Sequence, residues 1–222
     1  MIRAAAGRRV VIAVALAGAA ATSPAAVAFE TGIRTDAIKR AIDIGQSPGS
    51  EASLGFHERY VFLLRDRLLD RLEIVTEFRR VVLATEDRVR LADMTWGAQR
   101  AEAMLRPWRD KVSLVLHVSF SPKNTYRAMP RFRIVLYSRS STTAVPGAAL
   151  SRQANRIEPI DLVETPRYIS GQPAPPGTPI LAGIVEATFA ARMLEPRSAY
   201  LAGIFLEDRE LRRVELDFSR IE

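Results

Sequence analysis

From Lys111 onward, apolar and polar residues alternate with a period of two. Val112, Leu114, Leu116, Val118 and Phe120 interleave with Ser113, Val115, His117, Ser119 and Ser121, which predicts a half-buried strand. Phe132, Ile134 and Leu136 alternate with Arg131, Arg133, Val135 and Tyr137 in the next strand, with Pro122 to Pro130 expected as a long hairpin loop. Ser138 to Asn155 is small and polar and reads as a connection. Ile157 to Val163 predicts a strand at a sheet edge, because Pro159 has no amide to donate. Ile180 to Phe189 follows, after a proline-rich loop from Gly171 to Pro179. Tyr200 to Leu206 and Leu211 to Phe218 predict a terminal hairpin turned at Glu207 to Glu210.

Upstream the period lengthens. Ile33, Ala37, Ile38, Ala41 and Ile42 recur at helical spacing up to Gly45, and Gln46 to Ser53 reads as a loop. Phe78, Val81, Val82, Thr85 and Val89 line one side of a helix over Phe78 to Leu91, with Arg79, Arg80, Glu86, Asp87 and Arg90 opposite. Ala98 to Leu105 continues the helical pattern until Pro107 stops it. Tyr60 to Leu64 and Leu72 to Val75 are apolar runs too short to decide between strand and helix.

These patterns predict an α+β fold: an N-terminal helical segment, then a mainly antiparallel β-sheet or β-sandwich of about six strands. Residues 29–55 are expected to form a short helix and linker, either packed on the body or standing off from it. Residues 56–222 are expected to form a single α+β domain, helical over 56–108 and β over 111–219.

The first 28 residues change the picture of where the protein works. Arg3, Arg8 and Arg9 form a basic start, Val10 to Ala21 a short apolar core, and Ala26 and Ala28 the small residues a signal peptidase accepts before Phe29. An apolar run of about a dozen residues is shorter than the roughly 20 that a spanning helix needs. The expectation is a cleaved leader, export of an unfolded chain, a periplasmic or secreted mature protein and no transmembrane span after cleavage. Arg8-Arg9 matches a twin-arginine signal only in part.

Removing 28 of 222 residues leaves 194, enough to bury a core without staples. The formal charge of +7 falls to about +4 in the mature chain, with 29 basic against 25 acidic residues. All but three of the basic residues are arginine, a bias that a genome rich in G and C produces together with alanine.

Composition also excludes chemistry. With no cysteine and only His57 and His117, disulfides, thiolate metal sites and three-histidine zinc sites cannot form. No Gly-x-Gly-x-x-Gly or phosphate-loop pattern is present, so no cofactor is expected. Asp66, Asp70 and Glu73 are spaced to share a helix face, but Arg65, Arg67 and Arg71 interleave with them as in a salt-bridged surface. Glu207, Asp208 and Glu210 read as a turn before they read as a calcium loop.

The least ordinary feature is Lys123, Asn124, Tyr126, Arg127, Arg131 and Arg133, which put cations and an aromatic ring on one loop and one strand. Arginine beside an aromatic suits lipid headgroups, anionic glycans or an acidic patch on an envelope protein; nucleic acid is not expected outside the cytoplasm. The sequence therefore points to an exported, non-enzymatic binding or structural module. The alternative is an extracytoplasmic hydrolase using Asp66, Asp70 or Glu73 with His117.

Overall fold

A computed structural model describes residues 32–121, 123–124, 126–138, 156–168 and 178–221. The leader with Ala26 and Ala28, most of the Ser138 to Asn155 connection, and the prolines at 173, 175 and 176 lie outside the described residues. Among the described residues no helix is long and apolar enough to cross a membrane.

The chain runs α1 (Thr35–Gly45), α2 (Glu51–Glu58), β1 (Val61–Leu63), β2 (Leu69–Val75), α3 (Glu77–Arg90) and α4 (Ala98–Leu105), then β3 (Lys111–Ser119) and β4 (Phe132–Ser138). It continues through β5 (Arg156–Ile157), β6 (Asp161–Arg167), β7 (Ala182–Ala190), β8 (Ala199–Leu206) and β9 (Arg209–Asp217). The strands form two sheets, β1-β2-β3-β7-β6 and β5-β4-β8-β9, with every pairing antiparallel. The α+β class and the antiparallel strands follow the alternation in the sequence.

Four details differ from that pattern. Both undecided apolar runs are strands, so the segment over 56–108 carries β1 and β2 among its helices and supplies two of the five strands of the larger sheet. The loop after β3 is not a hairpin: β3 pairs with β2 and β7, whereas β4 pairs with β5 and β8, so this loop carries the chain from one sheet to the other. The strand expected around Pro159 is two strands, β5 and β6, broken at Glu158 to Ile160, and each is an edge. The loop expected over Gln46 to Ser53 ends early, because Ser50 caps α2 by accepting from the Ser53 amide at 3.2 Å.

Each sheet turns one apolar face inward. Leu72, Ile74, Leu114, Leu116, Val185 and Ala187 from the larger sheet meet Ile134, Leu136, Ala202, Ile204 and Leu216 from the smaller one in a single buried cluster. The helices extend it. The expected apolar positions of α1, Ile38 and Ala41 among them, are buried in the same cluster, and α1 packs on α3 and α4. Helix α3 is buried on more than its apolar side: Arg79 is 2% exposed and Glu86 6%, while Val89, expected inside, is 41% exposed.

The α1–α3 contact closes at Gly45. A Cβ there would stand 2.6 Å from the Thr85 Cβ and 2.7 Å from the Val82 carbonyl oxygen. Helix propensity alone makes Gly45→Ala stabilising by roughly 0.5–1 kcal/mol. Overpacking against a helix backbone outweighs this, and urea unfolding is expected to show a net loss of about 1–3 kcal/mol.

Candidate functional site

The outer face of the larger sheet carries chemistry that its inner face excludes. The register aligns Glu73, Val115, Glu186 and Val163 in one row across β2, β3, β7 and β6, and Arg71, His117, Ile184 and Thr165 in the next. His117 therefore lies on the more polar face of β3, as its place in the alternation implies. Its Nε2 is 2.9 Å from Glu73 Oε1.

Glu73 is the centre of this face. Arg71 Nε donates to Oε1 at 2.7 Å, and Arg79 Nη2 donates to Oε2 at 2.6 Å. Burial by itself would raise the Glu73 carboxyl, but hydrogen bonds from His117 and Arg71 and the charge of Arg79 outweigh it and hold the group well below the ordinary glutamate value. Arg79 also donates to the Ile74 carbonyl at 2.6 Å and lies over the Tyr60 ring at 5.2 Å. Its Nε has no hydrogen-bond partner among the described residues.

Beside this group, Arg80 reaches from α3 to the sheet. Its Nη2 donates to Glu186 at 2.9 Å and to the Ser113 hydroxyl at 3.0 Å, and its guanidinium stacks 3.6 Å from the centre of the Trp108 ring. Between helix and sheet lies a cleft of about 430 Å³, with Val75, Leu83, Met104 and Val115 supplying apolar walls and Glu73, Arg80, His117 and Glu186 polar ones. Three carboxylates, Glu73, Asp87 and Glu186, thus line one cleft, and each is ion-paired to arginine. The Ser113 hydroxyl is buried between Arg80 and Thr188, where it cannot serve as a nucleophile.

The expected helix face of Asp66, Asp70 and Glu73 does not exist, because β2 is a strand that places them apart. Asp66 accepts from the Leu68 amide at 3.3 Å, Asp70 binds the Ser119 hydroxyl, and only Glu73 lines the cleft. His57 is also held by a carboxylate: its Nε2 lies 2.9 Å from Glu86 Oε1, which accepts from the Ser53 hydroxyl at 2.8 Å. Serine and histidine here converge on one carboxylate oxygen, a tie between α2 and α3 and not a nucleophile–base pair. Among the described residues no group of three or more histidines and carboxylates is arranged to hold a metal. Glu207 donates its amide to the Arg131 carbonyl at 2.9 Å, and Glu210 pairs with Arg213.

The six residues of the predicted basic hairpin divide into three settings. Lys123 and Arg127 are exposed on the crossover loop. Asn124 and Tyr126 hold that loop in place: the Asn124 amide donates to the Ser121 carbonyl at 2.6 Å and the Ile180 carbonyl at 3.0 Å, and the Tyr126 ring lies 5.4 Å from Phe120. Arg131 and Arg133 border a groove at the start of β4 that also contains Glu164, Glu207 and Asp208, and Arg133 lies over Phe205 at 4.8 Å.

The buried acids of α3 carry no motif. Glu77 accepts from the backbone amides of Gly32 and Asp110, both at 2.9 Å. The pattern that could have exposed this acid is Thr76-Glu77 after an apolar run, which announces a capped helix start directly after a strand.

Glu73 makes stability depend on pH. The unfolded chain takes up the proton near the ordinary glutamate value of 4.5, whereas the folded chain resists it. The contribution is therefore full at neutral pH, declines as pH falls below that value, and is lost through the lower, folded one. Glu73→Gln is expected to cost about 3 kcal/mol at neutral pH by leaving Arg79 buried and unpaired. In urea titrations the gap between variant and parent should narrow as pH falls below 4.5.

Compared with known protein families, curated proteins and solved structures, the chain shows no significant similarity to any.

Proposed function

We propose that the protein is an exported, non-enzymatic module of the cell envelope or secreted fraction that docks an anionic partner through the loop joining β3 and β4. The supporting observation is the construction of that loop. Lys123 and Arg127 are exposed and form no ion pair with another described residue, while Asn124 and Tyr126, between them, bond the loop to the backbone of Ile180, just before β7. Cations on a fixed backbone bind with less ordering cost than cations on a free one. Arg131 and Arg133 add less, since Glu164, Glu207 and Asp208 share their groove.

A second reading, an extracytoplasmic hydrolase, draws support from the cleft that Glu73, Glu186 and His117 share. With Glu73, Asp87 and Glu186 each paired to arginine, His117 is the group this reading would use to move a proton. That reading requires turnover of a simple ester or glycoside that His117→Ala abolishes.

Retention of the mature protein on a sulfated polysaccharide, and co-sedimentation with phosphatidylglycerol vesicles, test the docking role at low and high salt. The expected outcome is salt-sensitive binding to at least one of these surfaces, lost in the Lys123→Glu/Arg127→Glu double variant. Binding that the double variant retains, or none at low salt, contradicts it. The intact mass of protein from the envelope or medium should correspond to a chain starting at Phe29, 28 residues short of the translated sequence.

A further inference from the structure

Strand β6 is exposed along nearly its whole length. Among the described residues it forms one edge of the five-stranded sheet and pairs only with β7; of its seven residues only Glu164 is partly buried. Ile160, Leu162 and Val163 are 55%, 38% and 49% exposed, so three of the large exposed apolar side chains fall within four positions of this edge. Natural edge strands are usually short, charged or covered; β6 carries Asp161, Glu164, Pro166 and Arg167 around its exposed Leu162 and Val163, so a strand that pairs with it must match those charges.

The order of residues in β6 names the strand it fits. Asp161 begins the strand and Arg167 ends it. When the strand pairs antiparallel with a second copy of itself about Glu164, each Asp161 meets the other copy's Arg167, Leu162 meets Pro166, and Val163 meets Thr165. The obvious obstacle is Glu164 facing its own twin. Its carboxylate is turned into the protein, however, accepting from the Phe132 amide at 2.9 Å. Pro166 pairs with Gly183 of β7, a place that suits proline only where its missing amide would point away from β7. The amides of Glu164 and Leu162, two and four residues earlier, then point outward too and can donate to the second copy, while Pro166, with no amide, leaves the Leu162 carbonyl opposite it without a donor in each of the two Leu162–Pro166 pairs.

We infer that β6 is a self-association edge: two copies join through antiparallel β6 strands, merging their two larger sheets into one continuous sheet. One strand pair buries less than the area of a standard stable interface, so the dimer is weak and depends on concentration.

Because the chain has no cysteine, single cysteines report this register without background. Val163→Cys and Thr165→Cys are both at exposed positions, and across the proposed axis they form a closely spaced, non-hydrogen-bonded pair within disulfide reach. Mixing the two variants under mild oxidation should give a disulfide-linked dimer that is lost when either is oxidised alone. Sedimentation equilibrium of the unmodified protein should show a mass that rises with concentration. Overturning outcomes are equal cross-linking of each variant alone, none in the mixture, a monomer at every concentration, or cross-links in an envelope extract to a different protein only.

Discussion

Arg79 lies 2% exposed at the junction of helix α3 and strand β2, and the rest of the arrangement is organised around keeping that charge paired. An unpaired guanidinium in such a place would be prohibitive. It is tolerated because Glu73 is an anion 2.6 Å away, the Ile74 carbonyl accepts at the same distance, and the Tyr60 ring lies beneath the guanidinium. Each of these acceptors belongs to the β1–β2 unit, so the ion pair sets the position of α3 relative to the larger sheet. The same helix sends other polar side chains outward in turn. Glu77 gathers the amides of Gly32 and Asp110, Arg80 bridges β3 and β7, Thr85 accepts from the Trp96 indole at 2.9 Å, and Glu86 holds Ser53 and His57 of α2.

This network has a consequence for function. Of the groups that face the cleft, Glu73 is held by His117 and Arg79, Glu186 by Arg80 and Asp87 by Arg90. Surfaces free to engage something else lie at the periphery: the crossover loop with Lys123 and Arg127, and the β6 edge with Leu162 and Val163. A loop pinned at Ile180 and an edge strand laddered to β7 present their groups in one geometry.

Local periodicity carried much of the fold. The alternation from Val112 to Phe120 names both the strand and its buried face, and the Ile38 and Ala41 spacing names the buried side of α1. Sheet membership was not legible, because β3 and β4 look like hairpin partners until the pairing of β7 and β8 separates them. The site was hidden for a related reason. Read at helical spacing, Glu73 belongs with Asp66 and Asp70. Read as a strand, it belongs with Arg71 and, across the register, with His117. Arg79 and Glu86 were hidden by charge itself, since a charged residue opposite an apolar helix stripe is ordinarily solvated. Their partners come from β2 and α2, too far away in the chain pattern for spacing to reveal.

The dependence of α1, α2 and β2 on α3 is most directly measured by native-state hydrogen exchange in rising denaturant. If the buried polar face of α3 joins them, the slowest amides of α1, α2, β2 and α3 exchange through one opening with one free energy. Exchange of α1 and α2 through a much smaller opening, while β2 and α3 stay protected, would contradict it.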